Sequence, residues 1–344
     1  MIKDFFEWFN SWKVNQDFHQ LDLSADGVFA RGIEGVSKGS VGVGDGNYYI
    51  KVPHSRAFKF GYVSLKYEAE DNALATTSEL VAQKKYKQFK FLYANHRPIF
   101  KPRNDLTELD YESLWRNRHV YNYEDIYRKG IYTLVSPSLT SELVDTVSMG
   151  DITSIALQLT KRNKREQRMY DNFENVLDCK KYYLKYMTDH CYDQYVKFVI
   201  ASIFEFSDDD HFYNVLLCKN KNGDKFEDVF LFDKESTSFN PFVAIDMKLE
   251  AIKYRAQNHI SFNGLPITKI GERGMDRIFA LTDLIRAGKL DKKYVQFLNE
   301  IAGFDFDKVA KEIEAETGIK TKQKQLDMYK YGAEFAGIVS SQEM

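Results

Sequence analysis

An apolar helical run that ends in three consecutive carboxylates is the feature that most constrains this chain. Residues 195–204 read Y-V-K-F-V-I-A-S-I-F, and Asp208, Asp209 and Asp210 follow them closely. Like charges side by side repel one another, and the repulsion grows where water is partly excluded. A fold that packs this helix must therefore keep the three carboxylates solvated or supply them with a cation.

A β-hairpin is predicted directly after the acidic cluster. Two strand-like segments, 215–218 and 228–232, flank a polar loop that contains the strong turn signal Asn-Gly. Asn214 precedes the first strand and Asp233 follows the second, so antiparallel pairing would bring both residues to one end of the hairpin. An Asp and an Asn five residues apart, then a second Asp after a hairpin, is the arrangement that holds Mg²⁺ in phosphoryl transfer.

The rest of the sequence divides into a strand-rich part and a helical part. Strand composition occurs at 28–30, 48–52, 62–67 and 130–135. A helix predicted over 76–89 begins at a capping box formed by Thr76 and Glu79. After a turn at 136–138, helices are predicted at 141–149, 151–160, 166–187, 189–205, 246–258, 273–287, 291–302, 306–316 and from about 320 onward. The sequence therefore predicts an α+β fold with a strand-rich N-lobe (1–137) and a mainly helical C-lobe (138–344).

Two local patterns add detail to these helices. Gly288, Gly303 and Gly318 each follow a predicted helix, where a C-terminal cap is expected. The lysine-rich run 84–88 is expected to form a solvated helix face.

Composition and charge exclude several classes of protein. The formal net charge of −2 argues against a nucleic-acid-binding protein, which is usually strongly basic. The three cysteines form no CxxC pair, which favours a reducing compartment. No stretch approaches the roughly 20 apolar residues of a membrane span, and the N-terminal segment lacks the features of a secretory signal. We expect a soluble protein that acts in the cytoplasm or is delivered to a host cell.

The order and spacing of these motifs resemble the HipA-like and CtkA-like bacterial serine/threonine kinases, which have a protein-kinase-like fold. In that family a helix ends in a D-R-H-x-x-N motif, and a hairpin then supplies a metal-binding aspartate. The corresponding segments here are Asp209-Asp210-His211-Phe212-Tyr213-Asn214 and the later Asp233. The resemblance runs over most of the chain, but only these short motifs carry it.

The resemblance implies roles for the acidic segment and the hairpin. Asp209 would orient the acceptor hydroxyl and accept its proton. Asn214 and Asp233 would bind Mg²⁺. His211 is grouped with Asp209 in the predicted catalytic segment, and a buried histidine that orients this loop is favoured there over a catalyst or a metal ligand. The implied activity is ATP-dependent phosphate transfer, with a serine or threonine of a protein as the acceptor and an unidentified regulator or antitoxin as a further partner.

The resemblance also implies roles for the N-lobe. Lys51, in the predicted strand 48–52, would contact the α- and β-phosphates of ATP. Glu79 would be its ion-pair partner, although the capping box accounts for Glu79 as well, and Glu68 and Glu70 are alternative partners. Gly42 and Gly44 would lie in the loop over the phosphates. ATP and Mg²⁺ would then occupy the cleft between the two lobes.

This sequence departs from the family pattern at two places, and alternative functions stay open. Asp210 stands where the family has arginine, and Lys234-Glu235-Ser236 follows Asp233 where many relatives have a small residue. One alternative is a lipid or small-molecule kinase or a nucleotidyl transferase on the same fold. The other is a non-catalytic, kinase-like binding or scaffold protein.

Overall fold

The computed structural model divides into two compact units, both built from discontinuous stretches of chain. It describes residues 41–42, 48–51, 53, 70–106, 130–137, 144–148, 177, 180–205, 215–220, 222–232, 234, 278 and 281–342. The first unit comprises Met1–Asp151, His211–Ser236 and Val309–Thr321, and the second comprises Ile152–Asp210, Thr237–Lys308 and Lys322–Met344. The first unit thus includes the predicted hairpin. A lobe boundary after residue 137 stays a prediction.

The first unit is a mixed α/β structure with two small sheets. Its described elements are β1 (Val41–Gly42), β2 (Tyr48–Lys51), α1 (Glu70–Gln88), β3 (Leu92–Tyr93), β4 (Arg97–Pro102), a 3-10 turn (Arg103–Asp105), β5 (Gly130–Pro137), β6 (Val144–Ser148), β7 (Val215–Asn220) and β8 (Asp228–Leu231). One sheet has the strand order β1-β2-β5-β4, and the other has the order β3-β8-β7-β6. The strand predicted at 48–52 is confirmed as β2.

Strand β5 is the centre of the first sheet. It pairs antiparallel with β2 and with β4, so that Lys51 lies opposite Leu134. Leu134 and Val135 are completely buried, as expected for a central strand rich in β-branched and apolar residues. Gly130 begins the strand with a φ of 120°, and an added Cβ there would clash with the carbonyl oxygen of Lys101. Only glycine fits at this position.

The second sheet contains the predicted hairpin, which is confirmed as β7 and β8. The two strands pair antiparallel, and a 2.8 Å hydrogen bond from the Gly223 N–H to the Asn220 carbonyl closes the turn. Strand β6 pairs with β7. The helix predicted over 141–149 is wrong at this point, because Val144–Ser148 is a strand. Its sequence, V-D-T-V-S, is rich in the β-branched residues that suit a strand.

Helix α1 differs from its prediction in two respects, its first residue and the burial of its lysine-rich run. It begins at Glu70, so Thr76 and Glu79 lie inside the helix and do not form a capping box. The lysine-rich run is not a solvated face either, since Lys85 and Tyr86 are buried. The ammonium of Lys85 lies 4.8 Å from the centroid of the Tyr86 ring, a cation–π contact.

The described elements of the second unit are helical. They are α2 (Lys180–Tyr183), α3 (Asp189–Ile203), α4 (Lys292–Ala302), the beginning of α5 (Phe306–Thr317) and α6 (Gln323–Ser340). The Thr188 side chain caps α3 by accepting a hydrogen bond from Cys191 N–H, and Asp291 caps α4 in the same way through Lys293 N–H. These caps fix where the two helices begin. No helix in the described part of the chain is long and apolar enough to cross a membrane.

Each of the three glycines predicted to cap a helix lies at the C-terminal end of one. Gly288 and Gly318 have φ angles of 62° and 71°, in the left-handed region that glycine favours. Gly303, which follows α4, has a φ of −86° instead. Gly303 still caps α4, because its N–H donates to the carbonyls of Asn299 and Ile301, but it does so without a left-handed backbone.

Candidate functional site

The structure describes only some of the predicted site residues. Asp209, His211, Asn214, Asp233 and Gly44 lie outside the described residues. Their predicted roles stay predictions.

Three other predicted site residues lie within the described elements. Gly42 ends β1, where it pairs with Ile50 of β2. The backbone of Lys51 ends β2, and its side chain lies outside the described part of the structure. Glu79, near the middle of α1, is described in full.

Glu79 is a completely buried carboxylate with three hydrogen-bond donors around it. Its Oε1 atom accepts a hydrogen bond of 2.9 Å from the Tyr93 hydroxyl and lies 3.1 Å from Nε2 of His96. Its Oε2 atom accepts a hydrogen bond of 2.7 Å from the backbone N–H of Lys234. Both oxygens are thus held in fixed directions.

This contact set explains why a carboxylate can lie in the core of the first unit. Removing a charged carboxylate from water is costly unless donors replace the lost water. Hydrogen bonds to a charged acceptor are shorter and stronger than those between neutral groups, and the 2.7 Å bond from Lys234 fits that class. Glu79 therefore joins α1 to the chain beyond β8 by a directional contact rather than by apolar packing.

Lys234 places this contact beside a predicted metal ligand. It follows Asp233 directly, and its own side chain is 1% exposed. Neighbouring Cα atoms along a chain are about 3.8 Å apart, so fixing the Lys234 backbone also limits where Asp233 can lie. Glu79 is thus connected to the hairpin segment that sequence analysis had selected for a separate reason.

Strand β3 contacts the end of the hairpin as well, on the edge of β8 that β7 does not occupy. It pairs in parallel with β8, with Tyr93 opposite Leu231. The N–H of Ala94 donates a 3.1 Å hydrogen bond to the Leu231 carbonyl. Tyr93 therefore pairs through its backbone with β8, while its hydroxyl binds the carboxylate that holds Lys234. Tyr93 is thus connected to the end of β8 in two ways, directly by strand pairing and indirectly through Glu79 and Lys234.

The register of the hairpin identifies its open end. Val215, the first residue of β7, pairs with Leu231, the last residue of β8. Asn214 directly precedes Val215, and Asp233 comes two residues after Leu231. Chain connectivity therefore attaches both predicted Mg²⁺ ligands to the same end of the hairpin.

Helix α1 and strand β2 share a neighbour in the first unit. Lys51 of β2 pairs with Leu134 of β5, and α1 packs against β5 as well. The element that bears Lys51 and the helix that bears Glu79 are thus both anchored on one central strand.

Tyr93, His96 and Gln83 belong to the site but were not predicted from the sequence. Gln83 fixes the backbone of His96, because its Oε1 accepts the His96 N–H at 2.8 Å and its Nε2 donates to the His96 carbonyl at 3.4 Å. All three side chains are buried. The only signal in the sequence is the run Tyr93-Ala94-Asn95-His96 after a helix, and it does not reveal which carboxylate these groups contact.

Comparison of the chain with protein-family models, with curated proteins and with solved structures finds no match. Among the described residues, no group of three or more His, Cys, Asp or Glu side chains could hold a metal ion.

Proposed function

We propose that this chain is an ATP- and Mg²⁺-dependent phosphotransferase with a two-lobed, protein-kinase-like fold, and that its acceptor is a serine or threonine hydroxyl of a protein. The observation that carries the proposal is the 2.7 Å hydrogen bond from the Lys234 N–H to Glu79 Oε2. It connects the helix that bears one predicted site residue to the backbone beside another.

The arrangement of three elements supports this proposal. A protein kinase needs a strand lysine, a helix glutamate and a metal-binding aspartate in place together. Here the strand of Lys51 and the helix of Glu79 both adjoin β5, and Glu79 binds the residue after Asp233. The buried Glu79 carboxylate would thus link the helix next to the phosphate-binding strand to the segment that would bind the metal.

Asn214 and Asp233 are the residues that would hold Mg²⁺. Carboxylate and amide oxygens are hard donors, which suit this cation, and Mg²⁺ usually takes only one or two protein ligands besides phosphate oxygens. The Val215–Leu231 pairing attaches both donors to the same end of the hairpin, which fits this ligand set. Mg²⁺, when bound, would neutralise charge on the transferring phosphoryl group.

Asp209 would act on the acceptor rather than on ATP. Its carboxylate would orient the acceptor hydroxyl and take its proton as the new oxygen–phosphorus bond forms, while the bond from the γ-phosphorus to the bridging oxygen breaks and ADP leaves. The transition state of phosphoryl transfer is loose, so most of the catalysis comes from positioning and from charge stabilisation. Lys51 would hold the α- and β-phosphates while this occurs.

The proposal is tested with purified protein, radiolabelled ATP and a mixture of protein acceptors, with and without Mg²⁺. We expect Mg²⁺-dependent label on protein, and we expect Asp209→Ala and Asp233→Ala each to lower the rate by at least about a hundredfold. Asp208→Ala is the matched control, since it removes a neighbouring carboxylate to which no role is assigned, and it should keep most of the activity. If Asp209→Ala and Asp233→Ala transfer phosphate at the parental rate, the assignment is wrong.

Two further measurements separate the alternatives on the same fold. The mass added to an acceptor distinguishes phosphate from AMP, and label on lipid or on a small molecule in place of protein would change the acceptor class. Thermal denaturation with ATP and Mg²⁺ addresses the scaffold alternative, because a bound ligand raises the melting temperature. No shift at saturating nucleotide would favour a non-catalytic protein.

A further inference from the structure

The buried contacts around Glu79 are directional as well as satisfying. Its Oε1 atom has two polar partners, the Tyr93 hydroxyl and Nε2 of His96. Two donors from different directions fix the rotation of the carboxylate about its own axis. That rotation decides whether Oε2 faces the Lys234 N–H.

The two side chains that hold Glu79, Tyr93 and His96, are themselves held. The Tyr93 ring stacks on the Tyr86 ring, with centroids 5.8 Å apart and the planes within 8° of parallel. His96 is 1% exposed, and its backbone N–H and carbonyl both bond to Gln83. Such pre-oriented partners are what a site requires when one group must stay within a fraction of an ångström of its working position.

The environment of His96 determines which ring nitrogen carries its proton. An ionised Glu79 carboxylate only accepts hydrogen bonds, so the Nε2 atom is then the donor. The buried Nδ1 atom has no hydrogen-bond partner among the described residues, so a proton there would find no acceptor in that part of the chain. The geometry therefore assigns the ring proton to Nε2.

We propose that Tyr93 and His96 are positioning residues that act through Glu79 on Mg²⁺ binding at Asp233. They turn the carboxylate so that Oε2 receives the Lys234 N–H, and Lys234 directly follows the predicted metal ligand Asp233 in the sequence. The metal part of this proposal rests on the proposed function. The mechanical part, from Tyr93 and His96 to Lys234, rests on described contacts alone.

The physical comparison is with groups that orient a metal ligand without touching the metal. Changing such a group typically lowers metal affinity or activity by about 10- to 100-fold. Because Tyr93 and His96 act through an intermediate carboxylate, we expect the lower part of that range. The effect should fall on the Mg²⁺ requirement more than on the KM for ATP, since neither side chain is assigned to the nucleotide.

The experiment uses the full chain in five forms: parent, Tyr93→Phe, His96→Leu, His96→Gln and Tyr183→Phe. Tyr93→Phe removes one hydroxyl and keeps the stacked ring, so the variant should fold. His96→Gln keeps an N–H that can reach Glu79, whereas His96→Leu does not. Tyr183→Phe is the matched control, because it removes a hydroxyl from an equally buried tyrosine of the second unit.

Two readouts are taken from each form. One is the rate of hydrogen exchange at the Lys234 amide, and the other is the Mg²⁺ concentration that gives half-maximal phosphate transfer at saturating ATP. In Tyr93→Phe and in His96→Leu we expect faster exchange at Lys234 and an Mg²⁺ requirement raised by about tenfold. In His96→Gln both values should return to within about threefold of the parent, and Tyr183→Phe should leave both unchanged.

The two readouts separate failure of this inference from failure of the proposed function. Folded Tyr93→Phe and His96→Leu proteins with parental exchange at Lys234 would overturn the mechanical part. Faster exchange with an unchanged Mg²⁺ requirement would overturn the metal part alone. A parent that transfers no phosphate would overturn the proposed function and the metal part with it, and the exchange rates would still decide whether Tyr93 and His96 hold Lys234.

Discussion

Helix α1 of the first unit and helix α4 of the second both have buried faces, yet these faces differ in composition. The inward face of α4 is apolar, and its buried residues are Tyr294, Val295, Phe297, Leu298 and Ile301. Buried positions of α1 include a long polar set, namely Thr76, Thr77, Ser78, Glu79, Gln83 and Lys85. The buried face of α4 is therefore apolar, whereas α1 combines buried apolar residues with paired polar groups.

The difference separates two ways of fixing a helix. Apolar burial is non-directional and proportional to area, so it stabilises α4 without defining the position of any single atom. A buried polar group must meet its partners with good geometry, and an unpaired one is costly. Glu79 therefore specifies where α1 lies relative to Lys234 far more tightly than a leucine could. We infer that α4 mainly stabilises its unit, whereas α1 mainly fixes the position of the Lys234 segment.

The largest expected effect on stability lies in α4. Phe297 is completely buried, and Phe297→Ala should lower the free energy of unfolding by about 4 kcal/mol, because it removes apolar area and leaves a cavity. Urea denaturation measures the change. Gln296→Ala, at an exposed position of the same helix, should change it by less than about 0.5 kcal/mol. Equal effects from the two substitutions would contradict the view that burial of apolar surface holds α4 in place.

The next effect lies in α1 and should combine stability with activity. Glu79→Ala leaves the donors of Tyr93, His96 and Lys234 without their acceptor, and should lower the free energy of unfolding by about 3 kcal/mol. Glu79→Gln keeps the volume and should cost less, but it presents an N–H to a donor and should slow phosphate transfer at least about tenfold. The control is Glu314→Gln, an exposed site in α5. A Glu79→Gln variant with parental activity would contradict the inference that α1 positions the Lys234 segment.

A third prediction concerns the pH dependence of stability and Lys87 of α1. Burial, together with the nearby charges of Arg97 and Lys84, lowers the pKa of Lys87 from 10.5 to about 8. Between these two values the unfolded chain binds more protons at this residue than the folded chain, so Lys87 makes the free energy of unfolding rise with pH.

The test compares the parent with Lys87→Met by denaturation between pH 7 and pH 10.5. The free energy of unfolding of Lys87→Met should exceed that of the parent by the largest amount near pH 7. This difference should shrink as the pH rises through 8 and beyond. Lys311→Met, at an exposed site, is the control and should show no such trend. A constant difference across the range would show that Lys87 is not held in a costly environment.

The smallest effect is expected from the exposed ion pairs of α1. The Lys84 ammonium lies 3.4 Å from Glu312 and also pairs with Glu316, with all three side chains partly exposed. Exposed pairs contribute little, so Lys84→Gln should lower the free energy of unfolding by less than about 1 kcal/mol. High salt should reduce even this difference, since it screens exposed charges. A larger cost that salt does not alter would place Lys84 with the buried polar groups instead.

The elements predicted well from the sequence are those with local signals. The helix predicted over 189–205 is confirmed as α3, and the one predicted over 291–302 is confirmed as α4. Both begin at a side-chain cap, and α4 has a clear apolar face. The hairpin is confirmed as well, because a turn sequence and two apolar runs are all that it needs.

The failures come from contacts between residues far apart in sequence. Nothing near Lys85 indicates that it is buried, because the groups that cover it are set by the tertiary fold. Glu79 was selected as a site residue on the basis of resemblance, but its partners Tyr93, His96 and Lys234 follow it at 14, 17 and 155 residues. A single sequence gives no sign of such pairs. Its polar pattern even favoured a local explanation for Glu79, the capping box.

The parallel pairing of β3 with β8 also determines when this part of the molecule can form. Leu92 and Phe230 pair across most of the first unit's sequence, and Glu79 meets a residue 155 positions later. Loop closure over such distances is slow, and contacts of this kind come late in folding. During synthesis, α1 leaves the ribosome long before Lys234 exists. Until then the Glu79 carboxylate lacks one of its donors, and the first unit cannot reach its final core before the hairpin has been made.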